Sequence, residues 1–159
     1  MNIIALTKEH QVEMTKLLEA ITIFTEDEVE VVNELLDTYL FNENQKDYLF
    51  FATREYDDSL SSFICYGPTP MTKNTFDLYW LGTHPNQRGK GLAHGLIRHM
   101  KNYMNEQKAR LIRVETSSKE LYAETQAFYD RLKFKEAARI TDFYQDGDDL
   151  ITYIMNIKD

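Results

Sequence analysis

The amino-acid sequence predicts an α/β fold, a mixed and mostly antiparallel sheet flanked by helices, in the order β-α-α-β-β-β-α-β-α-β-β. Three observations lead there. A strand-like run over residues 76–83 turns at His84-Pro85-Asn86 into a glycine loop and then an amphipathic helix, in which Leu92, Leu96, Ile97, Met100, Tyr103 and Met104 recur at helical spacing. A second apolar run at 111–116 follows that helix, and a crossover helix between two strands makes them parallel. Two further pairs of runs, 48–54 with 60–66 and 134–143 with 150–157, are joined by short polar turns and read as antiparallel hairpins.

Each element has its own local reason. Residues 3–6 form a short strand, after which Thr7 caps a helix reaching about Ala20, with Val12, Leu17 and Leu18 among its apolar positions. Thr25-Glu26-Asp27-Glu28 is a capping box, and its helix carries Val29, Val32, Leu35, Leu36, Tyr39 and Leu40 on one side. The acidic first turn suits the helix dipole. Asp57-Asp58 turns the first hairpin, and Gly67-Pro68-Thr69-Pro70 breaks the chain before the strand at 75–83. The central helix runs to about Gln107. Ser117-Ser118 then leads into a helix over about 121–132, with Leu121, Thr125, Phe128 and Leu132 on its buried stripe. The acidic tip at 145–149 lacks the alternating acids that a calcium loop places before its glycine, so it reads as a hairpin turn.

The 159 residues suffice for one domain, 1–159, with a real core. Hydrophobic residues make up 43% and charged residues 28%, which is ordinary for a soluble globular chain. A net charge of −8 disfavours nucleic acid and anionic membranes and favours a cationic or amine-bearing partner. The single cysteine, Cys65, lies in an apolar run and reads as a buried, inert thiol. A lone cysteine and the absence of a leader or membrane-length segment point to a cytoplasmic protein. His94 and His99 are five residues apart, which is not the spacing of a metal pair on one helix face, so no metal is expected.

The centre of the chain is Gln87-Arg88-Gly89-Lys90-Gly91-Leu92-Ala93. A strand, a glycine loop and a helix N-terminus together present unpaired amides and a partial positive charge to an anion such as a pyrophosphate. A P-loop is excluded, because Gly91 follows Lys90 where a hydroxyl should hold magnesium. A dinucleotide fingerprint is closer, with Gly89, Gly91 and Gly95 after a strand and Glu115 at the end of a later one. It is opposed by the intervening Pro85, Asn86 and Gln87 and by His94 at its sixth position.

A third pattern accounts for more residues. Arg88-Gly89-Lys90-Gly91-Leu92-Ala93 fits the Gln/Arg-x-x-Gly-x-Gly/Ala motif of the GNAT N-acetyltransferases, and residues 78–85 resemble the strand and turn before it in that family. Phe128-Tyr129-Asp130-Arg131-Leu132-Lys133-Phe134 is similar to the family's Phe-Tyr-x-x-x-Gly-Phe, with Lys133 replacing glycine, and Tyr122 stands where an asparagine often sits. The element order also resembles the whole GNAT fold. The resemblance implies an enzyme that moves an acetyl group from acetyl-CoA to a primary amine of a small molecule or peptide. The residues from Arg88 to Ala93 would then hold the pyrophosphate. The backbone at Leu81, Gly82 and Thr83, on a strand splayed from its neighbour, would hold the pantetheine and the thioester oxygen. Asp77 is the first candidate base, expected to share a strand face with Tyr79 and Leu81, and Glu115 is the second. Tyr129 is the candidate general acid, and a homodimer is a reasonable expectation from the family. A non-catalytic acyl-CoA sensor and an NAD(P)-binding domain are the competing readings.

Overall fold

A computed structural model describes residues 1–157. Seven strands form a single sheet in the order β1-β2-β3-β4-β5-β7-β6. They are β1 (Asn2–Ala5), β2 (Leu49–Arg54), β3 (Leu60–Pro68), β4 (Thr75–Thr83), β5 (Leu111–Ser117), β6 (Lys135–Gln145) and β7 (Asp148–Asn156). Every neighbouring pair is antiparallel except β4 and β5. The four α-helices are α1 (Gln11–Ala20), α2 (Glu26–Phe41), α3 (Leu92–Glu106) and α4 (Ala123–Arg131). Short 3-10 turns precede α1, α3 and α4.

Two apolar cores lie on opposite faces of this sheet. On one face α3 and α4 contribute Leu96, Ile97, Met100, Met104 and Tyr129, which pack on Ile64, Leu78, Ile112, Val114 and Tyr153. On the other, Met14, Leu17 and Leu18 of α1 and Val32, Leu36 and Leu40 of α2 pack on Phe50, Ala52, Phe63 and Cys65. Cys65 is fully buried, and desolvation pushes its thiol well above the ordinary range.

The local signals in the sequence locate most element ends. The Thr25 capping box forms reciprocally: the Thr25 amide donates to Glu28 Oε2 at 2.8 Å and the Glu28 amide to Thr25 Oγ1 at 3.2 Å. Lys133 adopts φ +67°, the left-handed position expected of the glycine it replaces. Around it the Phe134 amide donates to the Tyr129 carbonyl and the Lys133 amide to the Asp130 carbonyl, a complete Schellman turn.

Three positions depart from expectation. Val12 is 65% exposed, because the first turn after Thr7 is 3-10 and shifts the buried stripe of α1 to Met14, Leu17 and Leu18. Leu121 is 63% exposed for the same reason, lying in the 3-10 turn before α4. The third concerns the face of β4. The β3–β4 register shifts between Cys65, which pairs with Trp80, and Tyr66, which pairs with Leu78, so Tyr79 is an extra residue. Asp77, Tyr79 and Trp80 therefore belong to the α1/α2 face while Leu78 and Leu81 pack on the α3/α4 face. Asp77 and Leu81 do not share a face, because the bulge resets the two-residue alternation.

Candidate active site

The parallel ladder between β4 and β5 is short. Thr75 to Leu78 pair in register with Leu111 to Val114, and no pairing continues beyond Leu78 and Val114. Past that rung β4 stays with β3 and β5 stays with β7, so the sheet forks. The bulge at Tyr79 begins where the fork opens, and the extra twist that a bulge introduces turns β4 away from its neighbour. The His84 amide donates to the Ser61 carbonyl at 2.8 Å, so alternation aims the amides of Gly82 and His84 at β3 and those of Leu81 and Thr83 into the fork. Gly82 itself is a close-approach position. A Cβ there would lie 2.7 Å from both Ile21 Cδ1 and Phe63 Cε1, so only glycine lets the α1–α2 connection rest on the strand.

From the fork the chain passes through the 3-10 turn Pro85–Gln87 into the loop. Gly89 and Gly91 have φ +76° and +77°, and Gly91 is the N-cap of α3. No side chain caps this helix, and among the described residues no acceptor takes the amides of residues 89–94. These amides, with the N-terminal dipole of a 15-residue helix, are donors of the kind that suit an anion. Arg88 and Lys90 are exposed beside them, and Lys90 Nζ donates to Gln87 Oε1 at 2.5 Å.

At the base of the fork lies a small cleft of about 110 Å³ lined by Asp77, Leu78, Tyr79, Arg113, Val114 and Glu115. Asp77 and Glu115, the two carboxylates predicted from sequence, are thereby brought to one place. Asp77 is buried and accepts from Arg113 Nε at 2.7 Å and from Nη2 at 3.2 Å, a side-on pair holding both of its oxygens. That bond raises the pKa of Arg113 above its ordinary value. Glu115 lies 3.7 Å from Arg113 Nη1 and is 43% exposed. Tyr79 also lines the cleft, and burial reinforced by the Asp77 charge pushes its phenol up to about 12.

Tyr129 occupies the opposite face. It is 5% exposed, edge-on to Phe128 and Phe134 at 5.8 and 5.4 Å, and in one buried cluster with Leu78 and Val114, the last rung of the ladder. Desolvation raises its phenol well above the ordinary range, keeping it protonated at neutral pH. No hydrogen bond from that hydroxyl is found among the described residues. Tyr122 is tied elsewhere, its hydroxyl donating to Glu28 Oε1 at 3.1 Å and joining the start of α2 to the turn before α4. Among the described residues no group of three or more metal-ligating side chains occurs.

Arg113 is the residue that sequence reasoning missed. A signal for it exists: Arg113 and Asp77 are opposite charges within apolar runs of two strands predicted to be neighbours. Charges on central strands are rarely buried unless paired.

The whole arrangement has known counterparts. The sequence model of the Acetyltransferase (GNAT) family matches residues 16–134. A GNAT-family protein from Desulfovibrio desulfuricans is 32% identical, with 98% of each chain covered and a TM-score of 0.93. At the level of fold alone, the ribosomal-protein-S18-alanine N-acetyltransferase of Escherichia coli superposes with a TM-score of 0.77 at 16% identity, over 98% of this chain and 93% of that one. An aminoglycoside 6'-N-acetyltransferase solved with coenzyme A gives 0.76 at 16% identity, over 99% and 97%. No curated protein matches the chain by sequence.

Proposed function

The chain belongs to the GNAT family of acetyltransferases, and from that premise we propose that it moves the acetyl group of acetyl-CoA to a primary amine by direct attack. The observation that carries this reading is the run of unpartnered amides at residues 89–94, next to a fork whose edge amides at Leu81 and Thr83 are also unpaired with β5. Arg88 to Ala93 would hold the pyrophosphate, and the edge of β4 at Leu81, Gly82 and Thr83 would hold the pantetheine and the thioester oxygen. When bound, acetyl-CoA supplies an activated acetyl group as a thioester.

The residues of the fork supply the rest. An alkylammonium has a pKa near ~10.4 and must lose a proton before its nitrogen can attack. The carboxylates Asp77 and Glu115 lie on the α1/α2 face, which makes that face the approach for the amine. A carboxylate of the fork takes that ammonium proton and passes it to solvent; as the nitrogen–carbon bond forms and the carbon–sulfur bond breaks, the nitrogen sheds a second proton to solvent by the same route. Amides aimed at the developing oxyanion are typically worth about 3 kcal/mol each. Tyr129, on the α3/α4 face and protonated, gives its hydroxyl proton to the departing sulfur and regains one from solvent. Base and acid thus act from opposite faces of the sheet, through the gap where β4 and β5 part.

A mostly antiparallel sheet with only β4 and β5 parallel is not the doubly wound sheet that an NAD(P) site calls for. Isothermal calorimetry with acetyl-CoA and NAD(P), followed by a free-thiol release assay over amines, tests the proposal. Acetyl-CoA should bind and NAD(P) should not, and thiol should appear only when an amine is present. Binding without thiol release across the panel would instead favour a sensor.

A further inference from the structure

We propose that Arg113 is a positioning residue that divides the labour between the two carboxylates of the fork, holding Asp77 as a fixed counter-ion and leaving Glu115 to receive the substrate's proton. The proposal rests on the transfer reading above.

The geometry separates the two acids sharply. Asp77 and Arg113 face each other in register, one rung before the ladder ends. The Asp77 side chain is 7% exposed, and Nε and Nη2 of Arg113 occupy its two oxygens. To take a proton there, Asp77 would have to give up a bidentate charge-assisted pair and leave a guanidinium uncompensated in a half-buried site. Glu115 is the first residue of β5 past the last paired rung, and it lies on the same strand face as Arg113. Its contact with Nη1 at 3.7 Å is too long for a strong hydrogen bond, and with 43% exposure it can pass a proton on to solvent. The titratable groups around Glu115 are Arg113 on its own strand, Asp77 and Tyr79 across the cleft on β4, and Tyr144 of β6, whose phenol is raised by burial first and then by the charges of Glu115, Asp148 and Glu28. Arg113 is the cation of this set.

The step balances. The ammonium gives one proton to a Glu115 oxygen, which passes it to solvent. The amine nitrogen forms a bond to the acetyl carbon and sheds its second proton to solvent by the same route. The carbon–sulfur bond breaks, and the sulfur takes a proton from Tyr129, which regains one from solvent.

The test compares pH–rate profiles of thiol release for the parent, Arg113→Gln, Asp77→Asn/Arg113→Gln and Glu115→Gln. Arg113→Gln should lower the melting temperature and kcat, because Asp77 loses the guanidinium that holds both of its oxygens. The charge-balanced double variant should recover the melting temperature and keep an acidic limb, with kcat down about tenfold and the KM for acetyl-CoA unchanged. Glu115→Gln should lose about 10²-fold or more in kcat at neutral pH, and its kcat/KM should keep rising toward the amine's own pKa of ~10.4 where the parent has already levelled off. A double variant that no longer levels off at neutral pH, or a Glu115→Gln protein that keeps the parent's profile, would overturn the assignment alone. A parent protein that binds acetyl-CoA but releases no thiol with any amine would overturn the transfer reading and the assignment with it. Should Arg113→Gln fail to fold, the double variant carries the comparison.

Discussion

Two tyrosines show how the same side chain serves different ends. Tyr66 is fully buried and its hydroxyl has no partner among the described residues, packed between Phe51 and Tyr103. An unsatisfied buried hydroxyl is a net cost, so Tyr66→Phe should raise unfolding stability by about 1 kcal/mol in urea titration. Tyr129 is also buried, with no hydrogen bond from its hydroxyl among the described residues, yet it stands beside the last rung of the fork. Tyr129→Phe should lower kcat by about 10²-fold while leaving acetyl-CoA affinity within about twofold, measured by stopped-flow turnover and calorimetry. Equal turnover in the two proteins would remove Tyr129 from the chemistry. The tyrosine and both acids were legible in the sequence as candidates. Arg113 was not singled out, because a cation alternating with Glu115 on a strand looks solvent-facing until its neighbour is known.

At the scale of elements, helix ends carry the information. Both α3 and α4 stop at a lysine in the left-handed region, Lys108 at φ +54° and Lys133 at φ +67°. Each is followed by the long amide-to-carbonyl bond of a Schellman turn, from Ala109 to Met104 and from Phe134 to Tyr129. Glycine suits that backbone better, so Lys133→Gly should stabilise the fold by about 1 kcal/mol in thermal or urea unfolding. The start of α3 gives the converse case. Gly91 sits at φ +77° with open space where a Cβ would lie, so Gly91→Ala meets backbone strain and no steric clash. That variant should lose about 1 kcal/mol of stability and about tenfold in acetyl-CoA affinity, read by calorimetry, as the amides of the first turn shift out of line. Strand limits were equally legible: the run at Thr75–Thr83 is found as expected. The bulge within it was not, since Tyr79 carries no turn residue and the extra position is decided by pairing with β3.

The whole molecule is acidic and rich in tyrosine, and its pH response follows from burial. Tyr66, Tyr79, Tyr122 and Tyr129 all have phenols raised above 10, each with desolvation as the largest cause. The folded chain therefore holds these protons more tightly than the unfolded one. Their contribution is fully present below about pH 10 and is lost as pH rises toward the folded values, about 12 for Tyr79 and Tyr122. Melting temperature should accordingly fall steeply above pH 10, and the fall should be shallower in a Tyr79→Phe/Tyr122→Phe protein. An equally steep fall in that variant would contradict the burial argument. Sequence alone determined the elements, their order, the glycine loop and the buried thiol, because periodicity, caps and turn residues act over a few residues along the chain. Only the tertiary structure decided that Asp77 is paired with Arg113, that the bulge turns Leu81 to the opposite face, and that Tyr129 and the two carboxylates stand on either side of a forked sheet. Those outcomes depend on strand register, which is set by packing both faces at once and is written in no local stretch of residues.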